Sequence, residues 1–221
     1  MGTARAGSLV GDPPQARWLG TIEYGSALAV QEGARARGVA TGEQVIFGLE
    51  HLPVITLGKR GGEVDLEAAT AAGYAVWQTR RGGLATCHEP GQLVGYLVID
   101  ARALGVRRLV ERVEAVLIDW LSGRGIVADR RQGLPGAWVQ TAAGPRKIAA
   151  VGMQIRSGWA MHGFALNMEN SLDGFGLITP CGIRDAGVTS CARLGCVTTP
   201  REAWGDIADA LIARLGVRSG W

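Results

Sequence analysis

The thiol of Cys181 stands between Pro180 and Gly182, at the end of the short apolar run Leu177-Ile178-Thr179. Pro180 fixes its own φ and biases Thr179 toward an extended conformation, while Gly182 lets backbone or substrate come close to the sulfur. This pattern predicts a nucleophile displayed at a strand end. A thiol does chemistry as thiolate, so the reading requires a basic or cationic partner elsewhere, and Lys147 is the candidate. By residue type alone, a free cysteine is more often a buried, inert packing residue. The rest of the chain has to shift that balance.

Composition narrows the function classes. A chain of 221 residues with 47% hydrophobic and 19% charged content can build one large core. Glycine contributes 34 residues, about twice the usual share, with no collagen-like period to explain it; the excess points to tight turns and close approaches to ligand. The net charge of +3 and the absence of a dense Lys/Arg block speak against a nucleic-acid binder. No uncharged run reaches the length of a membrane span, and the first residues lack a signal-peptide core. These features predict a cytoplasmic protein whose Cys87, Cys181, Cys191 and Cys196 are reduced. Cys191 and Cys196 are five residues apart, which is neither a zinc-ribbon nor a helical-ligand spacing, so they are read as structural thiols.

The elements that must position Cys181 and Lys147 follow from periodicity. Residues 1–15 read as a flexible leader and 16–221 as one domain. Strands are predicted at 16–20, 44–49, 53–57, 74–79, 93–100, 126–129, 137–140, 148–155 and 160–166. Helices are predicted at 24–37, at 66–72 with Asp65 as cap, and at 106–121 with a wide apolar stripe from Val106 to Leu121. A last helix opens at Thr199-Pro200-Arg201-Glu202, which has capping-box spacing with proline at N1. Strands outnumber helices and many are hairpin neighbours, so the fold class is α+β, a single domain with a mixed sheet and flanking helices. The Gly58-Lys59-Arg60-Gly61-Gly62 turn fits neither a Walker A loop nor a dinucleotide fingerprint and reads as solvated.

The densest stretch runs from Arg80 to Tyr96: a basic Gly-Gly turn, a short strand, and a Pro-Gly turn. In an extended segment Thr86 and His88 share one face and Cys87 takes the other, so Cys87 and His88 make a poor nucleophile and base pair. This stretch, together with Arg146-Lys147-Ile148-Ala149-Ala150-Val151-Gly152, Met161-His162-Gly163-Phe164-Ala165-Leu166-Asn167 and Pro180-Cys181-Gly182-Ile183, resembles the lipoyl(octanoyl) transferase family. These are the octanoyl carrier-protein:protein transferases of lipoate assembly. The resemblance extends from Glu50 to Ser190.

What that resemblance implies is an acyltransferase on the α+β fold shared with lipoate and biotin protein ligases. Cys181 is the implied nucleophile, taking octanoyl from acyl carrier protein as a thioester. Lys147 is the implied acid and base that lowers the thiol's pKa. The implied acyl-site lining is Arg81, Gly82, Gly83, Leu84, Ala85, Thr86, Cys87 and His88 with Ala150, Val151, Gly152, His162, Gly163, Phe164 and Ala165. His88 and His162 are read as positioning the substrate ahead of any acid or base role. The implied acceptors are apo lipoyl domains of 2-oxoacid dehydrogenase E2 subunits and of the glycine cleavage H protein. Neither nucleic acid nor membrane is a partner, and no cofactor or metal is required, because thioester exchange is near thermoneutral and amide formation is downhill.

Two positions depart from the family pattern. Cys87 replaces a customary aromatic residue, which is expected to reshape the acyl slot, and Glu89 replaces glycine, which is expected to add a solvated charge near its entrance. Three rival readings stay open on sequence. One is an ATP-dependent lipoate or biotin ligase, another a non-catalytic acyl or carrier-protein binding module, and the third a zinc site drawing on the cysteines with His88 or His162.

Overall fold

The computed structural model describes residues 12–178 and 186–215. Its frame is an eight-stranded mixed sheet. The strands are β1 (Gln15–Ile22), β2 (Val45–His51), β6 (Gln92–Val98), β10 (Trp159–Asn167), β9 (Gly144–Arg156), β8 (Leu134–Thr141) and β7 (Asp129–Arg131), in that spatial order, with β11 (Gly187–Val188) paired to β9. The β1–β2 and β9–β11 pairs are parallel and the others antiparallel. A second sheet of β4 (Ala75–Gln78), β3 (Val54–Leu57) and β5 (Ala85–His88) stands beside it.

Helices cover both faces of the large sheet. α1 (Tyr24–Thr41) buries Tyr24, Ala27, Gln31, Ala34 and Gly38, at the three- and four-residue spacing of one helical face. It packs on Phe47, Val94, Val98 and Trp159, and ends where Gly42 adopts a left-handed φ of 82°. α3 (Gly105–Ser122) and α4 (Pro200–Leu215) cover the other face, joining Leu109, Val113, Leu117, Trp204, Ile207 and Leu211 to Ile46, Leu93, Leu97 and Ile148. Each such aliphatic side chain contributes about 2 kcal/mol through burial, so this face holds most of the core. α4 carries its predicted capping box: Glu202 N–H donates to Thr199 Oγ1 at 3.3 Å, and Thr199 N–H to Glu202 Oε2 at 2.9 Å. α2 (Leu66–Ala71) is capped by Asp65, whose carboxylate accepts from Ala68 N–H at 3.0 Å.

Several boundaries differ from the sequence reading for local reasons. Gln15 already pairs with Val45, so β1 begins inside the expected leader. The expected strand at 126–129 starts only at Asp129, because Ile126 N–H closes onto Leu121 O at the end of α3. Strand β9 begins at Gly144, four residues before the expected Ile148, so Lys147 lies inside a strand. In α3, Val106 is 47% exposed and stays out of the core its stripe suggested. Leu177 closes a 3-10 turn (Asp173–Leu177), and Ile178 makes an isolated bridge to Val64. The Thr179 to Ile183 stretch, with Cys181, lies outside the described residues.

Candidate active site

A cavity of about 230 Å³ opens between the two sheets and the first turns of α3. The segment 81–86 and His88 form one wall, Lys147 and 150–152 a second, and 162–165 a third; Val106, Val110, Leu134 and Pro135 close it on the helix side. A pocket of about 20 Å³ adjoins it, sharing Ala85, Thr86, Lys147, Ala150 and Ala165 and reaching Ala186, Gly187 and Val188. Lys147 therefore faces both spaces.

Lys147 is buried at 8% exposure. Its ammonium donates to Pro135 O at 3.2 Å and sits 4.8 Å from the Trp138 ring centroid, a cation–π contact. Strand β10 stops pairing with β9 at Leu166 opposite Ala149, and β11 takes over with Val188 beside Lys147. The residues that follow Cys181 in sequence thus re-enter the described structure at this lysine.

The opposite end of the cavity is polar: His88 and His162 line it, and His51 stands behind His88. His51 Nδ1 donates to Ile22 O at 2.9 Å, so its Nε2 accepts from the Tyr96 hydroxyl at 2.6 Å. The His51 ring packs against His88 with centroids 5.5 Å apart. His88 Nδ1 donates to Gln92 Oε1 at 2.7 Å, and the Gln92 amide donates to Asn167 Oδ1 at 2.8 Å. His162 holds a left-handed φ of 60°, with its N–H donating to Gln31 Oε1 at 2.8 Å; a bulky residue in that region marks a backbone fixed by its surroundings. Burial lowers the pKa of His51 to about 4, of His88 to about 3 and of His162 to about 4, with the neighbouring His51 ring adding to the effect at His88 and Arg81 adding at His162. All three are neutral at physiological pH and act as positioned hydrogen-bonding groups.

Arg81 shapes the first wall. Its guanidinium donates to Thr56 O at 2.5 Å, to Thr56 Oγ1 at 2.9 and 3.0 Å, and to Gly82 O at 3.0 Å. The glycines let three strands approach closely around Phe164: a Cβ on Gly95 would stand 2.1 Å from the Phe164 ring, and one on Gly163 2.1 Å from Gly95 O. Gly82 donates its N–H to Met153 O at 3.0 Å. Lys59 and Arg60 are exposed, as expected of a solvated turn, although Arg60 also reaches the cavity rim.

Two expectations are overturned. Cys87 does not line the cavity: its thiol packs on the far side of β5 with Ile55, Leu172 and Phe175, and burial pushes its pKa far up. Glu89 is 4% exposed rather than solvated. It accepts from the Tyr74 hydroxyl at 2.5 Å, from Leu172 N–H at 2.7 Å and from Asn170 Nδ2 at 3.0 Å. The sequence reading also passed over His51, Tyr24, Tyr96, Gln92 and Asn167. His51 offered one signal, a buried polar residue closing the strand after Glu50; Tyr96, Gln92 and Asn167 reach the site through β6 and β10 register and Tyr24 from the start of α1, which a single chain does not display.

Comparison with known proteins decides what this arrangement belongs to. Residues 23–212 match the Lipoyl protein ligase A/B catalytic domain. A curated protein of Mycobacterium sp. (strain KMS), named Octanoyltransferase, is 41% identical over 213 residues, covering 93% of this chain and 88% of that one. The chain belongs to the octanoyltransferase family. Its fold is the one shared with lipoate and biotin protein ligases. A lipoate protein ligase of Thermoplasma acidophilum with bound lipoic acid superimposes with a TM-score of 0.72 at 15% identity, covering 92% of this chain and 86% of that chain. Biotin protein ligase of Aquifex aeolicus gives a TM-score of 0.57 at 13% identity, covering 91% and 70%. Among the described residues, no three His, Cys, Asp or Glu side chains gather as a cation site, and no helix is long and apolar enough to cross a membrane.

Proposed function

We propose that this octanoyltransferase family member moves octanoyl from acyl carrier protein to Cys181, and from Cys181 to a lysine of an apo lipoyl domain. The observation that carries the reading is Lys147: a buried cation at the junction between an apolar cavity and the strand into which the Cys181 segment runs. The cavity supplies an acyl slot, with Leu84, Val151 and Phe164 against Val106, Val110 and Leu134.

The chemistry needs one base that becomes one acid. The Cys181 thiolate attacks the donor thioester carbonyl; the carbon–sulfur bond to phosphopantetheine breaks, and its thiol takes a proton from Lys147. In the second half, the acceptor amine attacks the Cys181 thioester and gives its proton to the now neutral Lys147, and the Cys181 sulfur leaves as thiolate beside the restored ammonium. An ammonium close by stabilises that thiolate in both halves. The neutral histidine end positions substrate and leaves proton transfer to Lys147. On this reading the protein works in the cytoplasm, with acyl carrier protein as donor and the lipoyl domains of 2-oxoacid dehydrogenase E2 subunits and the glycine cleavage H protein as acceptors.

Intact mass of the purified protein incubated with octanoyl acyl carrier protein, without ATP, tests the reading. One octanoyl on the wild type, none on Cys181→Ser, and discharge by apo lipoyl domain are expected. Octanoylated lipoyl domain appearing only with ATP would replace this mechanism with that of a ligase.

A further inference from the structure

The chain contains a pair of thiols that the transfer chemistry does not use. After β11 the backbone makes a 3-10 turn, Ala192–Leu194, flanked by Cys191 and Cys196. Cys191 N–H donates to Asn167 O at 3.0 Å and Ala192 N–H to Met168 O at 2.8 Å, which ties the turn to the end of β10. At its far end, Gly195 is left-handed with φ 83°, Gly195 N–H donates to Ala192 O at 3.1 Å, and Cys196 N–H donates to Cys191 O at 3.0 Å. That six-to-one and five-to-two pairing is a Schellman motif, whose first and last residues ordinarily bring two apolar side chains into contact. Here both are cysteines.

We propose that Cys191 and Cys196 are a redox site that closes to a disulfide when the protein meets a hydroperoxide. The backbone hydrogen bond that joins the two residues holds their Cα atoms within roughly 7 Å, the span a disulfide bridges without backbone movement. The Cys196 thiol is near enough to push the Cys191 pKa up beyond the effect of burial. Cys191 belongs to the buried core cluster around α3 and α4 and Cys196 packs against it, partly exposed, so oxidant reaches Cys196 first.

The steps balance with the peroxide as oxidant. The Cys196 sulfur, as thiolate, attacks the terminal peroxide oxygen; the O–O bond breaks, an alcohol leaves, and Cys196 becomes a sulfenic acid. The Cys191 sulfur then attacks the Cys196 sulfur, the S–O bond breaks, and the departing hydroxide takes the Cys191 proton to leave as water. Burial holds Cys191 with a pKa of about 12, so it resolves the sulfenic acid from contact and does not itself attract oxidant. The disulfide forms in a turn that begins two residues after Thr189, and leaves Lys147 and the acyl cavity unmodified.

The sequence makes the test direct. Arg193 lies between the two cysteines, so trypsin puts Cys191 in the peptide 185–193 and Cys196 in 194–201. After mild hydrogen peroxide treatment of the full chain and alkylation of remaining thiols, we expect these peptides linked at 2 Da below their summed mass, and separated again by dithiothreitol. Cys191→Ser is expected to stop at Cys196 sulfenic acid, captured by dimedone. Unlinked peptides with both cysteines alkylated would overturn the proposal, and so would a linkage of Cys196 to Cys87 or Cys181, or equal dimedone labelling of Cys196 in wild type and Cys191→Ser.

Discussion

Thr189 donates its backbone N–H to the carbonyl of Lys147 at 3.0 Å, one residue beyond the parallel pairing of Val188 with Lys147. Thr189 O in turn accepts from Asn167 Nδ2 at 3.0 Å. Through Gln92 this chain of hydrogen bonds continues to His88. Strand β11 is thus fixed to the same network that orients the polar end of the cavity.

Lys147→Met keeps the length and apolar stem of the side chain while removing the ammonium. We expect acylation of Cys181 to slow by about 10²–10⁴, the range for loss of a positioned acid and base, with a circular dichroism spectrum like that of the wild type. Lys147→Arg is expected not to rescue, since a guanidinium stays protonated and cannot accept the thiol proton. Single-turnover acylation followed by mass reads both variants; full activity of Lys147→Met would remove Lys147 from the mechanism.

Glu89 satisfies three donors in a buried place, from Tyr74, Asn170 and Leu172. Glu89→Ala strands them, and each unsatisfied buried group costs about 1–3 kcal/mol. With partial relaxation we expect a loss of about 3 kcal/mol, a fall in Tm of roughly 6–12 °C for a domain of this size. Glu89→Gln, which keeps two acceptor lone pairs, is expected to lose less. Differential scanning calorimetry separates the two; an unchanged Tm in Glu89→Ala would mean that the carboxylate does not organise this loop.

What the sequence disclosed and what it hid divide along physical lines. Local rules were legible: the Asp65 cap, the Thr199 capping box, the α3 stripe and the alternation that sends Thr86 and His88 to one face and Cys87 to the other. The same alternation argued against Cys87 as acyl-site lining, and the family likeness overrode it there. Glu89 was read as solvated because a carboxylate is rarely buried without partners; two of its three partners, Asn170 and Leu172, come from about 80 positions onward, through a loop-to-loop contact that no spacing reveals. The small sheet β4–β3–β5 and the takeover of β9 by β11 are likewise long-range pairings. The cavity lining was readable from three motifs, whereas the polar network behind it required register.

The three buried histidines make stability depend on pH in a defined direction. Folded, they have pKa values of about 4, 3 and 4; unfolded, each returns to about 6.5. The unfolded chain therefore binds more protons as pH falls, so the stability present above about pH 6.5 is lost on the way down to about pH 4. Each histidine contributes up to about 1.4 kcal/mol per pH unit in that window, and the three together about 4. Urea unfolding at pH 8, 6.5, 5.5 and 5 reads the slope. A flat dependence between pH 8 and 5 would show that these rings are not held neutral by burial, and His88→Gln should reduce the slope by about one third.

Acyl-chain preference should follow the cavity wall and ignore position 87. Ala150 lines both the large cavity and the pocket beside Lys147, so Ala150→Leu adds three carbons where the acyl chain is proposed to lie. Octanoyl acylation of Cys181 should then fall about 5- to 150-fold relative to hexanoyl, because overpacking a closed slot costs about 1–3 kcal/mol. Cys87 instead faces Phe175 and the turn at Gly174, where a Cβ added to Gly174 would stand 2.3 Å from its sulfur. Cys87→Ala is expected to lower Tm slightly and to leave the ranking of hexanoyl, octanoyl and decanoyl donors as it is in the wild type. Competition among the three acyl carrier proteins, read by acyl-enzyme mass, compares the variants directly. A changed ranking in Cys87→Ala with an unchanged one in Ala150→Leu would place the acyl chain on the far side of β5, against the Tyr74 and Phe175 cluster, and reverse the assignment of the cavity.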